Sequence, residues 1–189
     1  MALRALRIAL DTGAAQPEEL PPSVQQEYLG GRGAAVWVLA NQLPPNTGPL
    51  SRANLLIFSA GPLAGTSIGA TGSFVVTTRS PLTGAIAHSW GHGSWGGALR
   101  RSGYDLLIID GQSAEWTTIV IDGDKVSLVP ATNLLGLDTI ATTQQLREQL
   151  GEAYSVVCVG PAGEAGVSYS SIVAEGRYMA EPAGSGAVM

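Results

Sequence analysis

The chain has 189 residues, the length of one ordinary domain, and its 45% hydrophobic and 13% charged content excludes a disordered or linker-like polypeptide. Its formal net charge is -5, and Lys125 and the scattered arginines form no basic run, which excludes the electrostatic footprint of a nucleic-acid binder. Cys158 is the single cysteine, so neither an internal disulfide nor an iron–sulfur cluster, which needs about four thiolates, can be built from this chain.

In chain order, Leu6 to Thr12 alternates in character and predicts a strand, followed by a loop over Gly13–Pro22. Arg4 and Arg7 interrupt the apolar residues here, unlike a signal peptide. A helical pattern starts at Ser23, breaks at Gly30-Gly31-Arg32-Gly33, and resumes over Ala34–Ala40 before Pro44-Pro45. Asn54–Ala60 and Gly72–Thr78 predict buried strands, closed by Gly61-Pro62 and Ser80-Pro81. A short helix is expected at Gly96–Arg101, and a buried strand at Asp105–Asp110. Glu115–Ile121 and Lys125–Val129 flank Asp122-Gly123, a hairpin signal because such a turn needs positive φ. Thr139–Leu150 is amphipathic with Gly151 as its stop, and Ser155–Val159 and Val167–Val173 close the series as strands. Strands outnumber helices and several are joined by hairpins, which predicts α+β rather than a doubly wound sheet. No stretch approaches the ~18 apolar residues of a membrane span, and a cytoplasmic protein is expected.

Several glycine-rich segments follow one another in a distinctive order. They are Tyr28–Gly33, Asn54–Thr66, Ser80–Gly84, Gly96–Arg100 with Ser102–Asp105, Gly160–Glu164 and Gly186–Met189. Together, over nearly the whole chain, they resemble the N-terminal domain of the tungsten-pterin aldehyde ferredoxin oxidoreductases. The resemblance implies two related β/α units whose two mixed sheets wrap a central helix, forming a base for a tungsten- or molybdenum-bis-pterin cofactor. It further implies separate helical domains carrying an iron–sulfur cluster, with ferredoxin as an indirect partner. On that pattern, residues 1–189 are one such domain, lacking its last strand and those helical domains.

A pterin dithiolene carries a phosphate, so its cradle needs backbone amides, a magnesium-coordinating oxygen and arginines. By resemblance the cradle positions are Ser73, Arg79, Trp90, Gly91, His92, Gly93, Pro182 and Ala183. Ser73 stands where relatives carry an arginine, Trp90 where they carry an asparagine, and Pro182 where they carry another arginine. A serine has no positive charge, an indole offers no oxygen, and proline lacks both charge and an amide donor. Glu181 adds a repulsive charge beside them. The isolated chain is therefore expected to hold no cofactor and to have no catalytic residue of its own.

Other features have plainer readings. Gly30–Gly33 precedes a helix and could meet an anion, or could be a turn that lets strand and helix approach. His88 and His92 are four apart, a zinc spacing on a helix, but Gly91 and Gly93 argue against one. Arg79 reads as a solvated strand end, Glu164 as an acceptor that orders its loop, and Cys158 as a small buried hydrophobe. Trp90 and Trp95 are expected to face a groove or a partner. That exposed face and an open sheet edge predict a homo-oligomer or a cluster-bearing partner subunit. Two functions follow: a fragment or split subunit of an aldehyde-oxidising pterin enzyme, or a non-catalytic relative serving binding or assembly.

Overall fold

The computed structural model describes residues 2–189; Met1, the first residue of the expected domain, lies outside the described residues. The first unit opens with the hairpin β1 (Arg4–Ala9) and β2 (Ala14–Glu19), then α1 (Pro22–Tyr28) and α2 (Gly31–Gln42). It continues through β3 (Leu56–Ala60), β4 (Phe74–Arg79), β5 (Ile86–Gly91), α3 (Trp95–Arg101) and β6 (Leu106–Asp110). These strands form one mixed sheet, in the order β2-β1-β6-β3-β4-β5, in which β1 and β6 are parallel and the other pairs antiparallel.

Alternation along the strands divides their side chains between two cores. Ala5, Ile57, Leu106 and Ile108 pack under Ala34, Ala35, Val38 and Leu39 of α2. Leu6, Ile8, Leu56, Phe58, Phe74 and Val76 point the other way, onto Trp95 and Leu99 of α3. Apolar runs such as LLIID are strands covered on both faces, which is why they lack polar alternation.

The second unit repeats this plan on a smaller scale. A hairpin of β7 (Thr117–Asp122) and β8 (Lys125–Pro130) leads through a 3-10 turn at Thr132–Leu134 into α4 (Thr139–Leu150). Next come β9 (Val157–Cys158), α5 (Pro161–Glu164), β10 (Val173–Ala174), β11 (Tyr178–Met179) and α6 (Ser185–Val188). Strand β10 pairs antiparallel with both β9 and β11.

Two glycines show how closely the units correspond. The Gly96 amide at the start of α3 donates to Gly72 O at 3.0 Å, just before β4. The Gly186 amide at the start of α6 donates to Ser170 O at 3.1 Å, ahead of β10. A Cβ at either position would collide with the backbone beneath it. Helix α3 is central: its Trp95 and Leu99 share one core with Phe58 and Phe74 of the large sheet and with Ile172 and Ala174 of the second unit. The protein is thus an α+β fold of two related units around a central helix. The second sheet is antiparallel and in two pieces.

Three expectations are corrected. The Gly13–Pro22 loop contains β2, an edge strand in which Pro17 needs no ladder donor. The segment Ser89–Gly93, read from the sequence as a loop, begins inside an edge strand, β5, which runs to Gly91. Of Val167–Val173, only Val173 is in a strand, because the Val167 and Ser170 amides close turns onto Ala162 O and Val167 O.

Candidate functional site

The cradle positions fall at the two ends of β4 (Ser73 and Arg79), at the end of β5 and just after it (Trp90 to Gly93), and on the segment before α6 (Pro182 and Ala183). Ser80, fully buried, organises one end: its hydroxyl accepts from the Leu82 and Thr83 amides at 3.0 and 3.1 Å and donates to Ala183 O at 2.7 Å. The Ser-Pro-Leu-Thr-Gly turn is thereby tied to the segment leading into α6. A second buried tie joins Ser185 Oγ to Ser89 Oγ at 3.2 Å. Between these ties, the Glu181 amide donates to Trp90 O at 3.1 Å, and the Trp90 amide donates to the Glu181 carboxylate at 3.4 Å.

At the other end, Ser73 Oγ and His92 Nδ1 are 3.3 Å apart. The fold therefore gathers Ser73 with His92, and Trp90 with Glu181, Pro182 and Ala183. It leaves Arg79 apart, opposite Ile86 at the turn end of the hairpin, with its Nε donating to Gly84 O at 3.0 Å. Glu181, noted in the sequence only for its charge, carries a reciprocal bond with Trp90 that the sequence does not show. Its signal in the sequence is an acidic side chain next to Pro182.

The glycines here serve packing. Gly91 is buried opposite Phe74, and a Cβ on it would run into the Phe74 ring. Gly93 has φ +101° and lies against Tyr178. Trp95 is corrected from an interface residue to a core one. It is 9% exposed, with its ring centroid 5.0 Å from Phe58 and 5.2 Å from Phe74. Trp90, 41% exposed, does face outward.

The two histidines have separate hydrogen-bond partners. His88 and His92 stand four residues apart along an extended segment, about 13 Å at the usual rise per residue. His88 instead meets Thr77 Oγ1 at 3.3 Å, and burial, with the nearby Arg32 guanidinium, lowers its pKa. Among the described residues no group of three or more His, Cys, Asp or Glu side chains is placed to hold a metal.

The other plain readings agree with the geometry. Gly31 approaches Gly61, so the first glycine cluster brings α2 close to the end of β3. Glu164 accepts from the Gly136 amide at 3.0 and 3.2 Å. Cys158 lies in an apolar cluster, and desolvation pushes its thiol up to about 11.

Taken together, the gathered positions present an indole, an imidazole, a proline ring and a carboxylate. None carries a permanent positive charge, and Arg79, the one guanidinium in the set, is turned to a carbonyl of its own turn. This donor set does not fit a phosphate-bearing pterin held through arginines.

The family described as the aldehyde ferredoxin oxidoreductase N-terminal domain matches residues 5–189. The chain is 35% identical over 187 residues to the tungsten-containing aldehyde ferredoxin oxidoreductase of Pyrococcus furiosus, covering 98% of this chain and 31% of that protein. The corresponding enzyme of Thermococcus kodakarensis gives the same identity and coverage. Among solved structures, the active-site complex BamBC of benzoyl-coenzyme A reductase, with 1,5-dienoyl-CoA, superimposes with a TM-score of 0.94 at 37% identity. That match covers 98% of this chain and 28% of the other. The chain thus spans under a third of the length of these relatives, and it belongs to the aldehyde ferredoxin oxidoreductase N-terminal domain family.

Proposed function

We propose that this chain is the base domain of a tungsten- or molybdenum-pterin oxidoreductase of the aldehyde-to-carboxylate, ferredoxin-linked type, and that it is incomplete for catalysis alone. The observation that carries this is the match over 98% of the chain in both sequence and fold, with a tungsten-containing oxidoreductase on one side and a reductase complex on the other. When bound, the metal-pterin group supplies the two-electron redox chemistry. This chain's own part is structural: β5 and the Glu181–Ala183 segment form a ledge, held by Ser80 and Ser185. The proposed contact positions are Trp90, Gly91, Pro182 and Ala183 on this ledge, His92 and Gly93 just beyond β5, and Ser73 and Arg79 at the two ends of β4. With no arginine free on that ledge, the cofactor's anionic groups need cations from other domains or from a partner subunit.

Cys158 is buried in an apolar cluster with Leu134, Leu146 and Val156, and one thiol falls short of the about four that a cluster needs. Iron–sulfur ligands must come from elsewhere in the assembly. No helix among the described residues is long and apolar enough to cross a membrane, and we place the protein in the cytoplasm.

The alternative, a non-catalytic relative used for binding or assembly, draws on the Glu181–Trp90 pairing across the ledge. Aldehyde-dependent reduction of ferredoxin separates the two readings. The native assembly containing this chain should catalyse it and the 189-residue chain alone should not. An assembly with intact cofactor elsewhere and no such activity would leave the alternative.

A further inference from the structure

We propose that Glu175 is a positioning residue: anchored on Arg147 in the second unit, it holds Ser94 and through it the His92–Gly93 segment just beyond β5. This rests on the proposed role of that segment in seating the metal-pterin group. Residues 90–94 are fastened to the second unit at both ends by a glutamate. At one end the Glu181 carboxylate accepts from the Trp90 amide at 3.4 Å. At the other, Glu175 Oε1 accepts from the Ser94 hydroxyl at 2.9 Å. His92 and Gly93 lie between the two ties.

Two local preferences give way to this contact. Ser94 immediately precedes α3, where a serine side chain ordinarily accepts from the helix's free amides, yet it makes no capping bond. Its hydroxyl is turned to Glu175 and lies 2.8 Å from Ser155 Oγ. Glu175 has φ +57°, at the first corner of the turn that the Arg177 amide closes onto Ala174 O at 3.1 Å. Asn, Asp and Gly are the usual residues at such a corner, and a longer side chain keeps that conformation only where its surroundings impose it. Here they do. The Glu175 amide donates to Val156 O at 2.9 Å, Arg147 of α4 pairs with Oε2, and the side chain is 9% exposed. Arg147 is oriented in turn by Tyr154 O, to which its Nε donates at 3.4 Å. One carboxylate oxygen is thus anchored in the second unit while the other reaches across to the first.

Gly93 completes the arrangement. At φ +101° it sits against this turn, and a Cβ there would come within 3.0 Å of the Tyr178 ring and 3.3 Å of Glu175 Cγ. On its other side, His92 meets Ser73 Oγ at 3.3 Å. The segment is therefore set between the start of β4 and the β10–β11 turn, and the Glu175 carboxylate supplies its polar tie to that turn.

The test compares Ser94→Ala, Ser94→Thr, Glu175→Gly and the double variant S94A with E175G, each made in the native assembly. Glycine accepts the positive φ of the turn corner, so Glu175→Gly removes the carboxylate without straining the backbone. Amide hydrogen exchange is followed by mass spectrometry over residues 90–94 and over β3 as the internal reference, and metal retention through repeated desalting is measured beside it. Ser94→Ala and Glu175→Gly should each speed exchange over residues 90–94 about fivefold or more and leave β3 unchanged. Ser94→Thr, which keeps the hydroxyl, should match the parent, and the double variant should add nothing to either single one, since both remove the same contact. The loosened variants should also lose tungsten or molybdenum faster than the parent. Unchanged exchange, additive effects, or exchange that rises equally in β3 overturns the positioning role. Equal metal retention by parent and loosened variants overturns it as well. A parent assembly that holds neither metal, with exchange changed as expected, keeps the tie and sinks the proposed seat.

Discussion

Glu181 and Trp90 hold each other by two hydrogen bonds: the Glu181 amide donates to the Trp90 carbonyl at 3.1 Å, and the Glu181 carboxylate accepts from the Trp90 amide at 3.4 Å. If the cofactor sits on the ledge as proposed, the pairing sets an acidic side chain where its anionic groups would need a cation. Pro182, next in sequence, is exposed and has no amide to offer. Electrostatics on this ledge therefore works against a phosphate.

Adding cations should reverse that. A charge-assisted bond to an anion contributes about 1.5–3 kcal/mol, so each productive arginine strengthens binding about tenfold or more. The double variant Ser73→Arg with Pro182→Arg, made in the native assembly, should retain more tungsten or molybdenum through repeated desalting than the parent. Equal retention by both proteins would mean that these positions do not face the cofactor.

The two tryptophans should separate cleanly in stability. Trp95→Ala removes a ring packed on Phe58 and Phe74, a change that costs about 3–5 kcal/mol in a core of this kind. Trp90→Ala removes a side chain 41% exposed and should shift stability by no more than about 0.5 kcal/mol. Urea unfolding followed by circular dichroism measures both. Comparable losses from the two variants would contradict the assignment of Trp95 to the core and Trp90 to the ledge.

Much of this architecture is legible in the residues, and what is not has definite physical causes. Helix α4 runs over Thr139–Leu150 as the periodicity predicts, because Asp138 Oδ1 accepts the Ile140 and Ala141 amides and Gly151, at φ +117°, ends it. The second hairpin is equally plain, with Gly123 at φ +59° in its turn. Strand β2 is hidden because an edge strand tolerates Pro17 and carries acidic residues outward. Trp95 misleads because an aromatic among glycines looks exposed. The glycines are there so that α3 can press its tryptophan into the sheet, and Gly96 touches the backbone of Gly72 and Ser73. The reciprocal bond between Glu181 and Trp90 joins residues 91 positions apart, and no local pattern encodes it.

Cys158 makes stability depend on alkaline pH. Its folded pKa, about 11, lies above the ordinary 9.0 because desolvation favours the neutral thiol. Its contribution is fully present below about pH 9 and is lost between about 9 and 11, as the unfolded chain loses a proton that the folded chain keeps. The loss is on the order of 2 kcal/mol and should vanish in Cys158→Ala, once the cost of the smaller side chain is subtracted. Thermal melts of the two proteins between pH 8 and 10.5 measure it. Parallel melting curves across that range would show that the thiol is not desolvated.

The most direct test of the account is metal content, measured by inductively coupled plasma mass spectrometry on two samples. One is the native assembly purified anaerobically from its own host, and the other is the isolated 189-residue chain from the same host. The account predicts tungsten or molybdenum in near-stoichiometric amount in the assembly, together with iron, and neither above background in the isolated chain. A native assembly free of both tungsten and molybdenum would contradict it, and so would an isolated chain that holds the metal tightly on its own.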